Sequence, residues 1–237
     1  EKSIKELVGA AAESCEKLQI ASVQADVTAA AGLKEPMITV MASGESGSLF
    51  ESEKACADQD IIMAGYTGGY GAAKLTFANE AELENHFNSV FLSPILEADY
   101  TGDAISTVKA VETAAAAGVR TMYACGEGGV YSAVWELTEN AGLGARIQLK
   151  KVPLKQETVE ICDYFNISPY QLLSVGAVLL TATHGQKVLA ELAAAGIPAV
   201  IIGHLTDDND RVVLNDEEVR FLEPFRYESL NQAKSES

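Results

Sequence analysis

Residues 126–129 read Gly-Glu-Gly-Gly, between a mostly apolar run at 119–124 and apolar residues at helical spacing: Val130, Ala133, Val134, Leu137 and Ala141. The pattern is a strand running through a glycine turn into a helix. Such a turn can hold an anion, because the first N–H groups of a helix are free and the helix dipole favours negative charge. The plain alternative is a tight helix start. Glu127, placed in the first turn, suits the dipole but repels a phosphate that shares its amides. A second turn, "YTGGYGA" at 66–72, combines three glycines with two tyrosines able to meet the flat face of a ligand. A lone glycine-rich turn has little specificity. The candidate ligand- or phosphate-binding residues are Thr67, Gly68, Gly69 and Gly71 in one turn, and Gly126, Glu127, Gly128 and Gly129 in the other.

Other reactive side chains have weaker patterns. Cys125 stands just before a helix start, which can lower a thiol pKa; with His86, His184 or His204 beside it, it would be a nucleophile. A buried structural thiol is the plainer reading. Each histidine is solitary in sequence. Asp207, Asp208 and Asp210 in "TDDNDR" resemble a metal cluster, but Asp and Asn are also what a polar hairpin loop uses. Trp135, at helical spacing, reads as core or as an interface anchor. The four cysteines, Cys15, Cys56, Cys125 and Cys162, form no C-x-x-C pair, so zinc and redox motifs have no support. They read as free thiols in a reducing cytoplasm.

The 237 residues are 48% hydrophobic, enough for a sizeable core, and carry a net charge of −17. That balance argues against nucleic acid or an anionic membrane as partner, since both need clustered Lys and Arg. No apolar run reaches membrane-spanning length. The opening "EKSIKELVG" is charged and amphipathic, unlike a signal peptide. With no initiator Met, Glu1 is expected to begin a trimmed chain or a fragment.

The elements that would position the two turns follow from periodicity. A helix is predicted over 3–19, capped by Ser3, then strands at 19–27 and 37–44. A linker at 45–59 precedes a strand at 60–66. Helices are predicted at 70–77, 80–96, 103–117, 128–141, 155–165 and 185–196. Strands are predicted at 119–124, 145–152, 177–183 and 198–206, with a final hairpin of 211–215 and 218–224 across Asn215 and Asp216. Strands alternating with helices give an α/β, or α+β layered, domain. The tail 227–237 is polar.

Three long stretches, "GVRTMYACGEGGVYSAVWELTENAGLG", "KVPLKQETVEICDYFNISPYQLLSVGAVLLTAT" and "AGIPAVIIGHLTDDNDRVVLNDEEVRFLEP", resemble the C-terminal domain of the AIR synthase-related superfamily. The resemblance leans to the hydrogenase-maturation (HypE-like) branch. It implies an AIR synthase-like C-terminal domain at 60–226 and a remnant of the N-terminal domain at 1–44. It also implies ATP and Mg²⁺ as cofactors, and pairing of two chains through their N-terminal domains, hence a homodimer or association with another chain.

Residue by residue, the chain departs from the family. Where the family reads His-Asp-x-Thr-x-Gly-Gly, this sequence has Tyr123, Ala124, Cys125, Gly126, Glu127, Gly128 and Gly129. Where it reads Gly-Gly-His-Thr-Glu, residues 22–26 read Ser-Val-Gln-Ala-Asp, and Asp26 alone keeps its chemistry as a possible metal or nucleotide remnant. Where the branch reads Lys-x-x-Gly-x-Glu-Gly-Thr, Gly65, Tyr66, Thr67, Gly68, Gly69, Tyr70, Gly71 and Ala72 stand. Backbone-shaping glycines are kept, and most charged and hydrogen-bonding groups are gone. Phosphoryl transfer needs metal-bound carboxylates and cations, which Ala124 and Gly65 cannot supply. No cysteine stands at the chain end, where the hydrogenase-maturation enzyme carries its product. The sequence therefore reads as a truncated or degenerate paralogue that binds an anion, a nucleotide or a protein partner without turnover. The alternative is a live ATP-dependent enzyme for dehydration, cyclo-ligation or phosphorylation, completed by an upstream segment or a second chain.

Overall fold

The computed structural model describes residues 2–17, 19, 20, 24, 26, 28, 39, 41, 43, 54–100 and 102–224. It divides into two compact units, Glu1–Ser46 and Gly47–Ser237. In the first, α1 (Lys2–Lys17) realises the predicted amphipathic helix; Ser3 lies inside it rather than before it. Most of the strands predicted at 19–27 and 37–44, most of the linker and all of the tail 227–237 lie outside the described residues.

In the second unit a sheet of seven strands forms among the described residues. They are β1 (Asp60–Ala64), β2 (Thr121–Cys125), β3 (Gly144–Gln148), β4 (Ala177–Ala182), β5 (Ala199–Thr206), β6 (Arg211–Asn215) and β7 (Glu218–Phe221), in the spatial order β2-β4-β1-β5-β3-β6-β7. Every neighbouring pair is antiparallel except β3 and β6. The fold is thus mixed α/β with a largely antiparallel sheet. Alternation of strands and helices along the chain does not specify strand direction, because every connection before the terminal β6–β7 hairpin joins strands that are not neighbours in the sheet.

Central strands are buried on both faces, and successive side chains alternate between them. Ile61 and Met63 of β1 and Leu179 of β4 join a core with Val130, Ala133 and Val134 of α6 (Gly129–Ala141). Ile62 and Ala64, with Val178 and Leu180, face α5 (Val108–Ala116) and α8 (Gly185–Ala194) on the other side. This is why β1 and β4 read as continuous apolar runs. A third cluster gathers α2 (Gly69–Ala78), α3 (Glu80–Leu83), α4 (Ser89–Leu96) and α7 (Gln156–Tyr164) around Leu83, Leu92 and Ile161.

Several predicted boundaries move for local reasons. The helix expected over 80–96 is two helices, because the Asn88 side chain accepts the Phe91 N–H at 2.9 Å and starts a new one. The helix expected over 103–117 is a 3₁₀ turn at Gly102–Ile105 followed by α5. The strand expected over 145–152 ends at Gln148 and passes into a 3₁₀ turn at Leu149–Lys151. The terminal hairpin pairs Asn215 with Glu218, so its turn residues are Asp216 and Glu217, with Asp216 at a φ of 55°.

Candidate functional site

The two glycine turns lie at the same end of the sheet, after β1 and after β2, and one segment, residues 169–175, joins them. In the first turn the Gly65 N–H donates to Pro198 O at 3.0 Å and the Thr67 N–H to Pro153 O at 3.0 Å. The Gly68 N–H donates to Ser174 Oγ at 2.8 Å, and the Gly71 N–H to Leu173 O at 2.9 Å. In the second turn the Gly126 carbonyl accepts the Ser174 N–H at 3.1 Å and the Gly129 N–H at 3.2 Å, while the Tyr131 N–H donates to Tyr170 O at 3.3 Å. The Tyr131 and Tyr170 rings stack 5.4 Å apart.

Close approach explains the glycines that matter here. Gly68 has a φ of 71°, and a β-carbon on it would lie 2.8 Å from Pro169 O. Gly129 has a φ of 60°, and a β-carbon there would collide with Tyr170 O and lie 2.8 Å from Leu172 O. Positive φ and the crossing segment both demand glycine. Helix α6 begins at Gly129 with Gly128 as its N-cap, so Glu127 stands ahead of the cap, exposed, rather than in the first turn as expected.

Beside the first turn a cleft of about 470 Å³ opens. Tyr66, Gly69, Tyr70, Tyr100 and Lys155 line it, with Asp99, Glu157 and Lys109 also on its border. Lys155 Nζ sits 5.4 Å from the centre of the Tyr66 ring, a cation–π distance. The Tyr70 and Tyr100 rings meet edge to face at 6.2 Å. Burial raises the Tyr100 phenol above its ordinary range, and the neighbouring Glu157 charge adds to the rise. Lys109 Nζ donates to Ala195 O at 2.8 Å. Of the eight turn residues, Gly69 lines the cleft; Thr67, Gly68 and Gly71 are buried behind it, and residues 126–129 are not among its lining residues. Asp26 is exposed in the first unit, where Gln24 Nε2 donates to its carboxylate at 3.4 Å.

Ser174 was not legible as part of this site. It is a small polar residue in "PYQLLSVG", and nothing in its local pattern marks it. The reactive readings of Cys125 fail on burial: the thiol is 3% exposed, and burial pushes its pKa up to about 12, which removes the thiolate a nucleophile needs. His86 packs against Phe87 and Tyr164, each ring centre 4.7 Å away. Asp208 shapes its loop by accepting from Thr206 Oγ1 at 2.7 Å and from the Asp210 N–H at 3.0 Å, and these bonds hold its carboxyl below the usual range. Among the described residues no group of three or more His, Cys, Asp or Glu could hold a metal ion, and no helix is long and apolar enough to cross a membrane.

Residues 67–215, more than half of the chain, match the family model described as AIR synthase related protein, C-terminal domain. The carbamoyl dehydratase HypE of Rhizobium leguminosarum bv. viciae is 25% identical over 169 residues, which cover 68% of this chain and 45% of that protein. A HypE–HypF complex structure superposes with a TM-score of 0.59 at 18% identity, covering 73% of this chain and 54% of its counterpart. A hydrogenase maturation protein HypE solved in complex with ATP gives 0.53 at 14% identity, covering 75% and 53%. The chain spans about half the length of these relatives, and the structural likeness is one of fold. With the second turn, the intervening segment and five of the seven described strands inside the matched region, the chain belongs to the AIR synthase related proteins, and HypE proteins are among its relatives.

Proposed function

We propose that this protein binds a nucleotide or another phosphate-bearing anion, or a partner chain, without turning the ligand over. The observation that carries the reading is the cleft beside the first turn, because the turn's own backbone at Gly68 and Gly71 is already satisfied. The Gly68, Gly71 and Tyr131 N–H groups, which a phosphate cradle would offer, are taken by Ser174, Leu173 and Tyr170. The adjoining cleft offers three tyrosine rings and the Lys155 ammonium, a set suited to a flat base and one anionic group. We read residues 1–44 as a remnant of an N-terminal domain, 45–59 as a linker and 60–226 as the C-terminal domain. Association with another chain fits that organisation and the HypE–HypF complex among the similar structures; a homodimer would show in sedimentation and be lost on deleting residues 1–44.

A second reading is favoured by Asp99 and Glu157, two carboxylates bordering the same cleft. With groups from a longer relative-like chain or a second copy, they would hold Mg²⁺ for ATP-driven dehydration, cyclo-ligation or phosphorylation. Calorimetric titration with a non-hydrolysable ATP analogue, with and without Mg²⁺, separates the two. Binding that ignores Mg²⁺ and weakens in Lys155→Gln is expected. In a parallel assay with ATP itself, steady Mg²⁺-dependent ADP release that Lys155→Gln abolishes would replace this reading with the enzymatic one.

A further inference from the structure

Helix α2 begins on the cleft with part of its first turn unanswered. Its N-cap, Gly68, offers no side chain, and its first turn holds no acid. The Gly71 N–H goes to Leu173 O and the Ala72 N–H to Gly68 O. The Gly69 and Tyr70 N–H groups have no partner among the described residues, and both residues line the cleft. Free N–H groups at the positive end of a helix dipole attract an anion. Gly69 is also a glycine that the fold does not require. Unlike Gly68 it lies outside the left-handed region, and a β-carbon on it would meet no atom within 4 Å. Glycine weakens a helix start but lets a ligand approach the backbone closely.

Thr158 supplies an independent observation. It is 1% exposed, it lines the cleft, and its hydroxyl makes no hydrogen bond among the described residues. A buried hydroxyl left unpaired calls for a partner. Thr181 Oγ1 is the one unpaired side-chain polar atom that is sealed off among the described residues, so the Thr158 hydroxyl is still accessible. The Thr158 methyl is turned to Gly68, with Cγ2 2.9 Å from where a β-carbon on that residue would stand. The hydroxyl is thus the end left towards the cleft.

The same contact sets the start of α7 against the start of α2. The Thr158 N–H donates to Lys155 O at 3.1 Å, and Lys155 is the N-cap of α7. The Lys155 ammonium lies over the ring of Tyr66, in the same turn as Gly69. Two backbone N–H groups, one hydroxyl and one ammonium therefore belong to one wall. Lys109, also on the border, is committed to Ala195 O. Glu157 stands in the first turn of α7, where it suits that helix's dipole.

We propose that the α2 start, Thr158 and Lys155 form the oxyanion subsite of this cleft, and that its ligand is a phosphomonoester carrying a flat ring. The proposal rests on the reading of the cleft as the binding site and names what fills it. The Gly69 and Tyr70 N–H groups and the Thr158 hydroxyl donate to phosphoryl oxygens, Lys155 balances charge, and the tyrosine rings meet the ring of the ligand. One ammonium, with Asp99 and Glu157 on the border, suits a monoester better than the more highly charged triphosphate.

The test is calorimetric titration of the full chain, without Mg²⁺, with AMP, adenosine and a non-hydrolysable ATP analogue. AMP is expected to bind saturably, at least about tenfold tighter than adenosine and tighter than the analogue. Gly69→Ala should keep or raise the thermal midpoint while weakening AMP binding at least about tenfold. Thr158→Val, close in shape, should weaken AMP several-fold and leave adenosine binding unchanged; Thr158→Ser should bind AMP as the parent does. AMP binding no tighter than adenosine binding, or weaker than that of the analogue, overturns the proposal. So does AMP binding that survives Gly69→Ala and Thr158→Val but is lost in Lys155→Gln, an outcome in which the cleft reading stands without this subsite. Absence of saturable heat with all three probes overturns the subsite and the cleft reading together.

Discussion

Thr67 and Ser174, both buried and 107 residues apart, share a hydroxyl–hydroxyl bond of 3.0 Å. Ser174 donates its own proton to Leu172 O at 2.7 Å and accepts the Gly68 N–H at 2.8 Å. The Thr67 hydroxyl is therefore the donor of the shared bond. One serine satisfies the backbone and side chain of the first glycine turn while its own N–H holds the second turn through Gly126 O.

Ser174→Ala removes that junction and leaves the Gly68 N–H and the Thr67 hydroxyl buried without partners. A loss of about 1–3 kcal/mol is expected, read as a lower urea midpoint with unchanged slope. Thr67→Ser keeps the donor and should cost less than Ser174→Ala. Equal stability of Ser174→Ala and the parent would show that the hydroxyl does not hold the turns.

At the second turn, folding and binding effects should separate. Gly129→Ala puts a β-carbon at positive φ, which alone costs about 1–2 kcal/mol, and against Tyr170 O; a large drop in thermal midpoint is expected. Glu127→Gln removes an exposed charge ahead of the helix cap and should shift stability by about 0.5 kcal/mol or less. It should tighten, not weaken, any phosphate binding at that turn. Loss of a tight Mg²⁺-dependent nucleotide site in Glu127→Gln would make Glu127 a metal ligand.

Burial pushes the Cys125 and Cys162 thiols from the ordinary 9.0 up to about 12, and the Tyr131 phenol from 10.0 up to about 12. The folded chain keeps these protons where the unfolded chain releases them. The unfolded state thus binds fewer protons between about pH 9 and 12. Stability contributed by these groups is complete below pH 9 and is lost as pH rises towards 12, at up to about 1.4 kcal/mol per pH unit for the deeply buried Cys125 and less for the other two. Denaturation curves across this range should flatten in Cys125→Ala. In native protein at pH 8, iodoacetamide should label the exposed Cys56 ahead of Cys125 and Cys162, which should react only on unfolding.

Arg211 ties β6 to α6. Its guanidinium lies 4.2 Å from the Trp135 ring centre, Nε donates to Thr138 Oγ1 at 2.6 Å, and Nη2 pairs with Glu139 at 2.6 Å. A lysine cannot reproduce a planar group that stacks and donates at once. Arg211→Lys should cost about 1–2 kcal/mol and change the fluorescence of Trp135, the single tryptophan of the chain. Unaltered fluorescence and stability would show that the stack contributes nothing.

Much of this architecture follows from local pattern. The short apolar runs 61–64 and 177–182, between turn residues, read as strands buried on both faces, because the side chains on both sides are apolar or small. The repeats Val130, Ala133, Val134 and Leu137 had to be one face of a helix. The glycines at 68, 128 and 129 mark turns, and in the fold their backbone is left-handed, with φ values of 71°, 74° and 60°. Other features arose only in three dimensions. Periodicity reports whether a side chain is buried, not what buries it, so the antiparallel order of the strands is absent from the sequence pattern. For the same reason nothing near Ser174 shows that it meets Thr67, nothing near Arg211 that it covers Trp135, and nothing near Thr181 that its buried hydroxyl is left unpaired. Those pairings depend on chain segments tens of residues apart being brought together by the sheet. Tertiary structure alone decided which polar groups are satisfied and which are not.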